Sequence, residues 1–376
     1  MLLFGSGQVD ITPPEPLPLG GYTARNGAAF EPGGEPLFAR ARTIGDVALV
    51  SVEMLTVPES LVAAVRAKSG EQKLFMVATH THCAPDSQML NDRMTLQIPG
   101  IASFRRRWLE WYSDRIVEAI RQARASQTRP ISMFDIRQVS LPYARSRRPL
   151  GVPDNWATKV DVRFEDGGAE TLLTVFAAHP TLYDASERKL RGDWPGQYMT
   201  RSGGLVFTGA IGDVSPVPEV PSSFARAIWR GLDCVLAKPL SPTISFSTHP
   251  IELAKPVPHP TFASTNGLSD SLANSIVAKF APSEASITGL QIDDFLLVGV
   301  PGEPTSELGR SIRQFGHKKG LKVAVASHVN GWIGYILSAA DYAQGGYEAQ
   351  LSMHGPETGN RLVDAARRVI SRSSKN

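Results

Sequence analysis

The stretch KLFMVATHTH, residues 73–82, begins as an apolar run and ends in two histidines separated by one residue. A short apolar run of this kind is typical of a buried strand. Histidine is scarce here, since the chain has only 8 among its 376 residues. In a strand, residues two apart point to the same side, so we expect the rings of His80 and His82 to face one cavity. The stretch therefore predicts a buried strand that ends in a chemical site.

Apolar, strand-like runs alternate with helix-like segments along the rest of the chain. The predicted strands are 46–54, 73–79, 170–178, 204–208, 295–300 and 322–329, and the predicted helices are 59–68, 105–125 and 306–319. In the longest helix, apolar residues recur every three or four positions, as in a helix with one face in the core. This alternation favours an α/β fold. We interpret residues 1–376 as a single domain, with a sub-boundary suggested only near residue 240.

Composition and charge exclude several classes of protein. Hydrophobic residues make up 42% of the chain and charged residues 20%, which is typical of a soluble globular protein. A net charge of +3 without a basic block gives no reason to expect nucleic-acid binding. No apolar stretch approaches the roughly 18 to 20 residues of a transmembrane segment, and the first residues do not resemble a signal peptide. We therefore expect a cytoplasmic protein, whose oligomeric state the sequence does not indicate.

Residues with catalytic or metal-binding side chains follow several of the predicted strands. In open α/β sheets, ligands bind beyond the carboxyl ends of the strands. The residues at these ends are His80, His82, His179, Ser215 and Glu303. Two histidines and one glutamate are a common ligand set for catalytic zinc, which lowers the pKa of water from near 16 to about 7. The sequence has no HExxH, GxSxG, P-loop or GxGxxG motif, which argues against several other enzyme classes.

Each of these residues also has a structural interpretation. A histidine beside a strand can be an ordinary buried side chain, and Glu303 can stabilise the amino terminus of the helix that follows it. Ser215 can cap or turn the chain, and Asp213 can be the acceptor of an Asx turn. His328 follows another predicted strand and competes as a metal ligand. Cys83, one of only two cysteines, is either a nucleophile or a buried thiol.

Seven motifs, taken in order, resemble the neutral (non-lysosomal) ceramidases, specifically their N-terminal catalytic domain. They are GSGQVDITPPEPLPLGGY (5–22), ATHTH (78–82), FAAHPT (176–181), GDWPG (192–196), GAIGDVSP (209–216), GVPGEPTSELGRSIR (299–313) and GYILSAADYAQGGYEAQLSMHGPET (334–358). They span nearly the whole chain. The resemblance implies a catalytic domain of mixed β-sheets flanked by helices, and zinc-dependent hydrolysis of an amide bond.

The resemblance also implies a role for each matching residue. One zinc ion per chain would be held by His80, His179, Glu303 and Tyr335. His82 would lie beside the metal as an acid/base or oxyanion partner. A tyrosine is a poor ligand at its free pKa of about 10, but a nearby dication lowers that value.

Three further positions match residues near the reacting carbonyl. Tyr347 matches a second tyrosine of the family, and an arginine that donates hydrogen bonds to the developing oxyanion matches Arg145, with Arg147 as the next candidate. Ser215 matches the serine of the GDVSP motif. Whether Ser215 is a nucleophile or positions the substrate stays open, and we favour positioning, because a histidine bound to zinc cannot serve as its base.

The chain departs from the family pattern at several points. Residues 83–87, CAPDS, replace a glycine-rich stretch, and Val217 replaces an asparagine. Arg191 stands where the family has a serine, so we expect Arg191 and Asp193 to contact the substrate. The family also has a C-terminal immunoglobulin-like domain, which we expect this chain to lack because it ends shortly after the last motif.

The sequence thus predicts a zinc-dependent hydrolase that cleaves an N-acyl bond by means of a metal-activated water, with a small-molecule or lipid-like substrate. A first alternative is a metal-dependent hydrolase of a small soluble amide, ester or lactone, whose carboxylate could pair with Arg191. A second is a metal-containing binding protein without catalytic activity. A third is a serine or cysteine hydrolase that needs no metal.

Overall fold

Strands and helices alternate in the computed structural model, which describes residues 1–149, 151–217 and 221–373, with only the backbone at residues 221 and 222. The strands are β1 (Leu3–Asp10), β2 (Phe38–Ile44), β3 (Val47–Val52), β4 (Lys73–Ala78), β5 (Arg129–Ser140), β6 (Ala144–Ser146), β7 (Trp156–Phe164), β8 (Ala169–Phe176), β9 (Leu205–Thr208), β10 (Val214–Pro216), β11 (Lys238–Leu240), β12 (Ile244–Ile251), β13 (Ala285–Ile292), β14 (Phe295–Gly299), β15 (Glu303–Pro304), β16 (Lys322–Ala326) and β17 (Tyr335–Ile336). The helices are α1 (Glu59–Ser69), α2 (Arg106–Ala125), α3 (Asp193–Ser202), α4 (Pro221–Asp233), α5 (Phe262–Thr265), α6 (Asp270–Phe280), α7 (Ser306–Lys318), α8 (Ala339–Gln344), α9 (Tyr347–Gln350) and α10 (Thr358–Ser373).

Two mixed sheets form the centre of the fold. The larger has the order β4-β3-β2-β1-β5-β7-β8-β9, and β11 pairs with β5. The second has the order β12-β13-β14-β16. Within these sheets the pairs β3–β4, β8–β9 and β14–β16 are parallel, whereas the other pairs are antiparallel. The α/β fold with mixed sheets and flanking helices that the sequence predicts is therefore confirmed.

The two sheets pack face to face, with helices on both outer sides. Successive residues of a strand point to opposite faces, so β4 contributes to two different cores. Met76 packs in one core with residues of α1 and α2 such as Ile116, whereas Phe75 packs in another with Phe295 of β14. On the far side of β14, Leu296 packs with side chains of α7 and α10. The layers thus run helix, large sheet, second sheet, helix.

Three strand–helix–strand units bring the carboxyl ends of parallel strands to one edge of these layers. The units are β3-α1-β4, β8-α3-β9 and β14-α7-β16, each with its two strands parallel. Ser327, directly after β16, donates its N–H to the carbonyl of Thr208 at the end of β9, at 2.8 Å. Val77 of β4 forms a bridge with Val329. The two sheets therefore meet at the edge where the sequence places its candidate residues.

Among the helices in residues 1–149, 151–217 and 221–373, none combines the length and the apolar character that crossing a bilayer requires.

Candidate metal centre

His80 lies just beyond the end of β4, in a turn rather than in the strand. Its φ of +64° is in the left-handed region, which non-glycine residues rarely adopt. Its Nδ1 lies 2.7 Å from the carbonyl oxygen of Leu55. The expectation that a strand pleat aligns His80 with His82 is therefore wrong. The turn itself brings their Nε2 atoms to 3.3 Å from each other.

His179 approaches the same point from the end of β8. Its backbone N–H donates to the carbonyl of Val214, and its Nδ1 lies 3.0 Å from the carbonyl oxygen of Ile211. The Nε2 atoms of His179 and His80 are 3.0 Å apart. All three candidate histidines are buried, and each can offer a ring nitrogen within 4.8 Å of the others.

The proton positions on His80 and His179 show why this cluster fits a cation. A carbonyl oxygen only accepts hydrogen bonds, so each Nδ1 must carry the proton and each Nε2 must be a bare lone pair. Burial lowers the pKa of both rings, so neither gains a second proton at neutral pH. Two bare lone pairs at 3.0 Å repel each other, and a divalent cation bound between them removes the conflict.

Glu303 supplies an anionic oxygen to the same cluster. Its Oε2 lies 3.5 Å from Nε2 of His80 and 3.7 Å from Nε2 of His179, and it has no hydrogen-bond partner in the described part of the chain. Its Oε1 accepts a hydrogen bond of 2.9 Å from the indole of Trp332, whose backbone N–H binds Glu59. Trp332 thus orients the carboxylate, and the sequence offered no signal for that role.

Tyr335 is adjacent to Glu303 because β15 and β17 pair in parallel with these two residues in register. Burial and the charge of Glu303 raise the pKa of Tyr335 well above its ordinary value. The nearby guanidinium of Arg147 acts in the opposite direction and lowers this pKa. The four residues proposed as zinc ligands from the sequence are therefore close together, and the phenol of Tyr335 is protonated at neutral pH.

Of the two candidate arginines, Arg147 is the one that reaches this cluster. Its guanidinium lies near enough to Tyr335 to lower the pKa of that phenol, donates to the carbonyl of Gly212 at 2.5 Å, and pairs with Glu348 at 3.2 Å. Arg145 is exposed in β6, where it pairs in register with Ser215 of β10. Of the two arginines, Arg147 is thus the one placed to donate a hydrogen bond to an oxyanion at this cluster.

Tyr347 is located at the mouth of the site, at the start of α9. The residue as a whole is 58% exposed, and its ring centroid lies 5.8 Å from that of Tyr335. Loss of water around the hydroxyl and the charge of Glu303 raise the pKa of Tyr347 to about 12. The phenol is therefore a proton donor at neutral pH.

Ser215 is half-buried in β10, and the neighbouring Asp213 has a structural role. The Asp213 carboxylate accepts from the backbone N–H and the hydroxyl of Ser306, at 2.7 and 2.8 Å. It therefore binds the amino terminus of α7, which directly follows the Glu303 strand. The Asx turn considered for Asp213 would be a local contact, whereas these contacts reach a residue 93 positions further along the chain.

Arg191 and Asp193, the candidate substrate contacts, are both engaged by other groups. Arg191 pairs with Glu187 at 3.1 Å and with Glu35 at 3.5 Å. Asp193 is buried, with φ +53°, and accepts from the backbone N–H groups of residues 182, 183 and 194. Asp193 thus holds the loop after His179 against α3.

Two residues that the sequence analysis missed hold His82 in place. The buried guanidinium of Arg25 donates to the carbonyl of His82, and the ring of Tyr22 lies 4.7 Å from that of His82. Gly21 is needed beside them, because its φ is +88° and a Cβ there would lie 2.5 Å from the His82 ring. The thiol of Cys83 is buried in the same region, where burial raises its pKa to about 12 and disfavours the thiolate that a nucleophile requires.

His328 is the remaining histidine of the cluster. Its ring stacks on that of His80, with centroids 4.1 Å apart and planes at 19°. The predicted strand that carries it ends earlier, at Ala326, because His328 has a φ of +56°. With His80 and Glu303 it forms a second group of potential metal ligands.

Fold and site together define a four-layer α/β protein with a candidate metal centre of histidine and glutamate, formed where parallel strands end. The sequence matches no family model and no curated protein. Among solved structures, the chain is similar to neutral ceramidase from Pseudomonas aeruginosa, with a TM-score of 0.81 and 17% identity. It is also similar to a structure of ceramidase complexed with C2, with a TM-score of 0.79 and 17% identity. Each match covers 99% of this chain and 75% of the other. The chain therefore has the fold of the neutral ceramidase structures, as the sequence motifs implied.

Proposed function

We propose that this protein is a zinc-dependent hydrolase that cleaves an amide (N-acyl) bond. The observation that carries the proposal is the distance of 3.0 Å between the Nε2 atoms of His80 and His179, which both lie within 3.7 Å of Oε2 of Glu303. Such a set is a ligand arrangement of catalytic zinc. The ceramidase fold supports amide hydrolysis as the reaction.

His80, His179, Glu303 and Tyr335 would hold the ion, one per chain. A bound zinc ion polarises a carbonyl and lowers the pKa of water at neutral pH. Contacts within the chain already fix the ligands: Nδ1 of His80 and of His179 each lies against a backbone carbonyl, and the Glu303 carboxylate accepts from the Trp332 indole. Ligands that are oriented in this way bind metal without reorganising.

His82 would accept the proton of the attacking water. Burial, His80, Arg25 and Arg147 lower the pKa of His82 well below its ordinary value, so the ring is neutral at neutral pH. A neutral imidazole can act as a general base and then return the proton to the leaving amine.

The guanidinium of Arg147 and the phenol of Tyr347 would donate hydrogen bonds to the oxyanion that develops on the acyl carbonyl. Each such donor supplies about 3 to 4 kcal/mol of transition-state stabilisation. Ser215 would position the substrate near the mouth of the site. The substrate we propose is a small-molecule or lipid-like N-acyl compound.

The proposal is tested by elemental analysis of the purified chain together with hydrolysis of N-acyl compounds of graded chain length. We expect bound zinc, and hydrolysis that a chelator abolishes and zinc restores. His80→Ala and Glu303→Ala should each lower both zinc content and turnover, whereas His317→Ala, outside the cluster, should change neither. Full zinc retention in both ligand variants would refute the assignment.

The same substrate panel separates the alternatives. If short soluble amides, esters or lactones are hydrolysed and long-chain N-acyl compounds are not, the substrate is a small soluble compound rather than a lipid-like one. Bound metal without any hydrolysis would indicate a binding protein. Hydrolysis that is insensitive to chelators would indicate a serine or cysteine nucleophile.

A further inference from the structure

His328 differs from the two imidazoles that are fixed by carbonyl groups. It is fully buried, yet neither of its ring nitrogens has a hydrogen-bond partner among the residues that the structure describes. His80 and His179, by contrast, each donate Nδ1–H to a carbonyl. A buried polar atom without a partner is costly, and a histidine with two such atoms indicates an interaction with something other than the chain itself.

The stacking of His328 on His80 determines what that interaction can be. Lone pairs on ring nitrogens lie in the plane of the ring, and the two planes are only 19° apart. Lone pairs that run side by side in this way do not converge on a single ion. They suit two separate ions instead, one beside each ring.

Glu303 lies where such a pair of ions would need an anion. Its Oε2 lacks a hydrogen-bond partner within the described ranges, and atoms of His80, Glu303 and His328 all come within 4.8 Å of one another. A carboxylate has several lone pairs, so it can serve two cations at once. Both His80 and His328 have a positive φ just beyond the end of a strand.

We propose that His328 and Glu303 hold a second divalent cation beside the one assigned to His80, His179, Glu303 and Tyr335. The centre is then binuclear, and its second ion is one that favours imidazole, such as zinc. This inference rests on the proposed function, because it extends the same metal centre.

The first test is the number of ions bound by the full-length chain after reconstitution with zinc. We expect two per chain in the wild type and one in His328→Leu, which replaces the imidazole with an apolar side chain. The matched control is His354→Leu, because His354 is also buried with a ring nitrogen that lacks a partner, but belongs to neither ligand group. That variant should still bind two ions.

The second test is electron paramagnetic resonance of the cobalt-substituted protein, which does not depend on turnover. Two cobalt ions that share Glu303 should be magnetically coupled in the wild type, and His328→Leu should give the signal of an isolated ion. One ion in the wild type, or two ions retained in His328→Leu, would overturn the second site and leave the hydrolase proposal standing. No bound ion at all would overturn both. If His328→Leu does not fold, the wild-type stoichiometry and cobalt spectrum still decide the question.

Discussion

At the scale of single residues, two backbone carbonyls control the chemistry of the centre. Leu55 and Ile211 accept from the Nδ1 atoms of His80 and His179, and so fix both the orientation and the tautomer of each ring. The Nε2 lone pairs then face each other before any ion is present. This arrangement is the kind of ligand preorganisation that outer hydrogen bonds provide in metal sites.

His82 differs from these two histidines in that its Nδ1 has no partner in the chain as described. His82→Ala should therefore retain zinc but lower kcat by about 100-fold or more, as expected for the loss of a general base. Zinc content and kcat measured on the same preparation check this. Loss of zinc in this variant would make His82 a ligand, and a near-normal kcat would leave it with a supporting role only.

The two arginines near β6 allow a matched comparison. Arg147→Met should lower kcat/KM by about 100- to 1,000-fold, because it removes a donor to the oxyanion. Arg145→Met should remain near the wild-type value, since it is Arg147 that pairs with Glu348 and donates to Gly212 beside the cluster. Steady-state kinetics of both variants on one N-acyl substrate distinguish them. A larger loss in the Arg145 variant would return the oxyanion role to that residue.

At the scale of elements, strand ends and the loops after them deliver the ligands. β4 leads to His80, β8 to His179, β14 to Glu303 and β16 to His328. The loop after β8 depends on a buried carboxylate, since Asp193 of α3 accepts from two of its backbone N–H groups. The position of His179 is therefore coupled to the first turn of α3.

That carboxylate gives a pH dependence with a definite sign. Burial raises the pKa of Asp193 to about 7 in the folded protein, whereas in the unfolded chain an aspartate has a pKa near 3.9. Between these values the folded state binds the proton more tightly, so the contribution of Asp193 to the free energy of unfolding falls as the pH rises.

Asp193→Asn lacks this titration, so the stability advantage of the wild type over the variant should shrink between pH 5 and pH 8, by about 2 to 3 kcal/mol. Urea unfolding of both proteins at the two pH values measures the change. The variant also loses an acceptor for a backbone N–H, but that loss is the same at either pH. An advantage that grows with pH would contradict the raised pKa.

Sequence patterns predicted some elements better than others for a physical reason. Strands buried on both faces, such as β4 and β14, are continuous apolar runs and were predicted within one or two residues. The antiparallel strand β5 is only partly buried, with a mixed pattern along its length, and it was not predicted. The apolar stripe of α2 is buried as expected.

At the scale of the whole molecule, the packing of one sheet on the other holds the site together. Phe75 of β4 and Phe207 of β9 stack with centroids 5.5 Å apart in the core between the sheets, which also contains Phe295 of the second sheet. Glu303 and His328 follow strands of the second sheet, whereas His80 and His179 follow strands of the first. The ligand cluster therefore exists only when the sheets are packed together.

Phe75→Ala should lower the free energy of unfolding by about 3 to 5 kcal/mol, because it leaves a cavity between the sheets. Phe104→Ala, at a partly exposed ring, should cost much less. Urea denaturation followed by circular dichroism measures both. Equal losses in the two variants would show that the inter-sheet core contributes less than its burial indicates.

The sequence by itself determined the α/β class and several buried strands, and it named His80, His179, Glu303 and Tyr335 as candidate ligands, because apolar runs and motifs are local patterns. Only the tertiary structure decided that Arg147 reaches the centre, that Trp332 and Arg25 orient its side chains, and that His328 stacks on His80. These contacts join segments far apart in the chain, and their geometry depends on how the two sheets pack and where positive-φ turns direct the side chains. Neither the packing of the sheets nor the positions of these turns can be predicted from a local stretch of sequence.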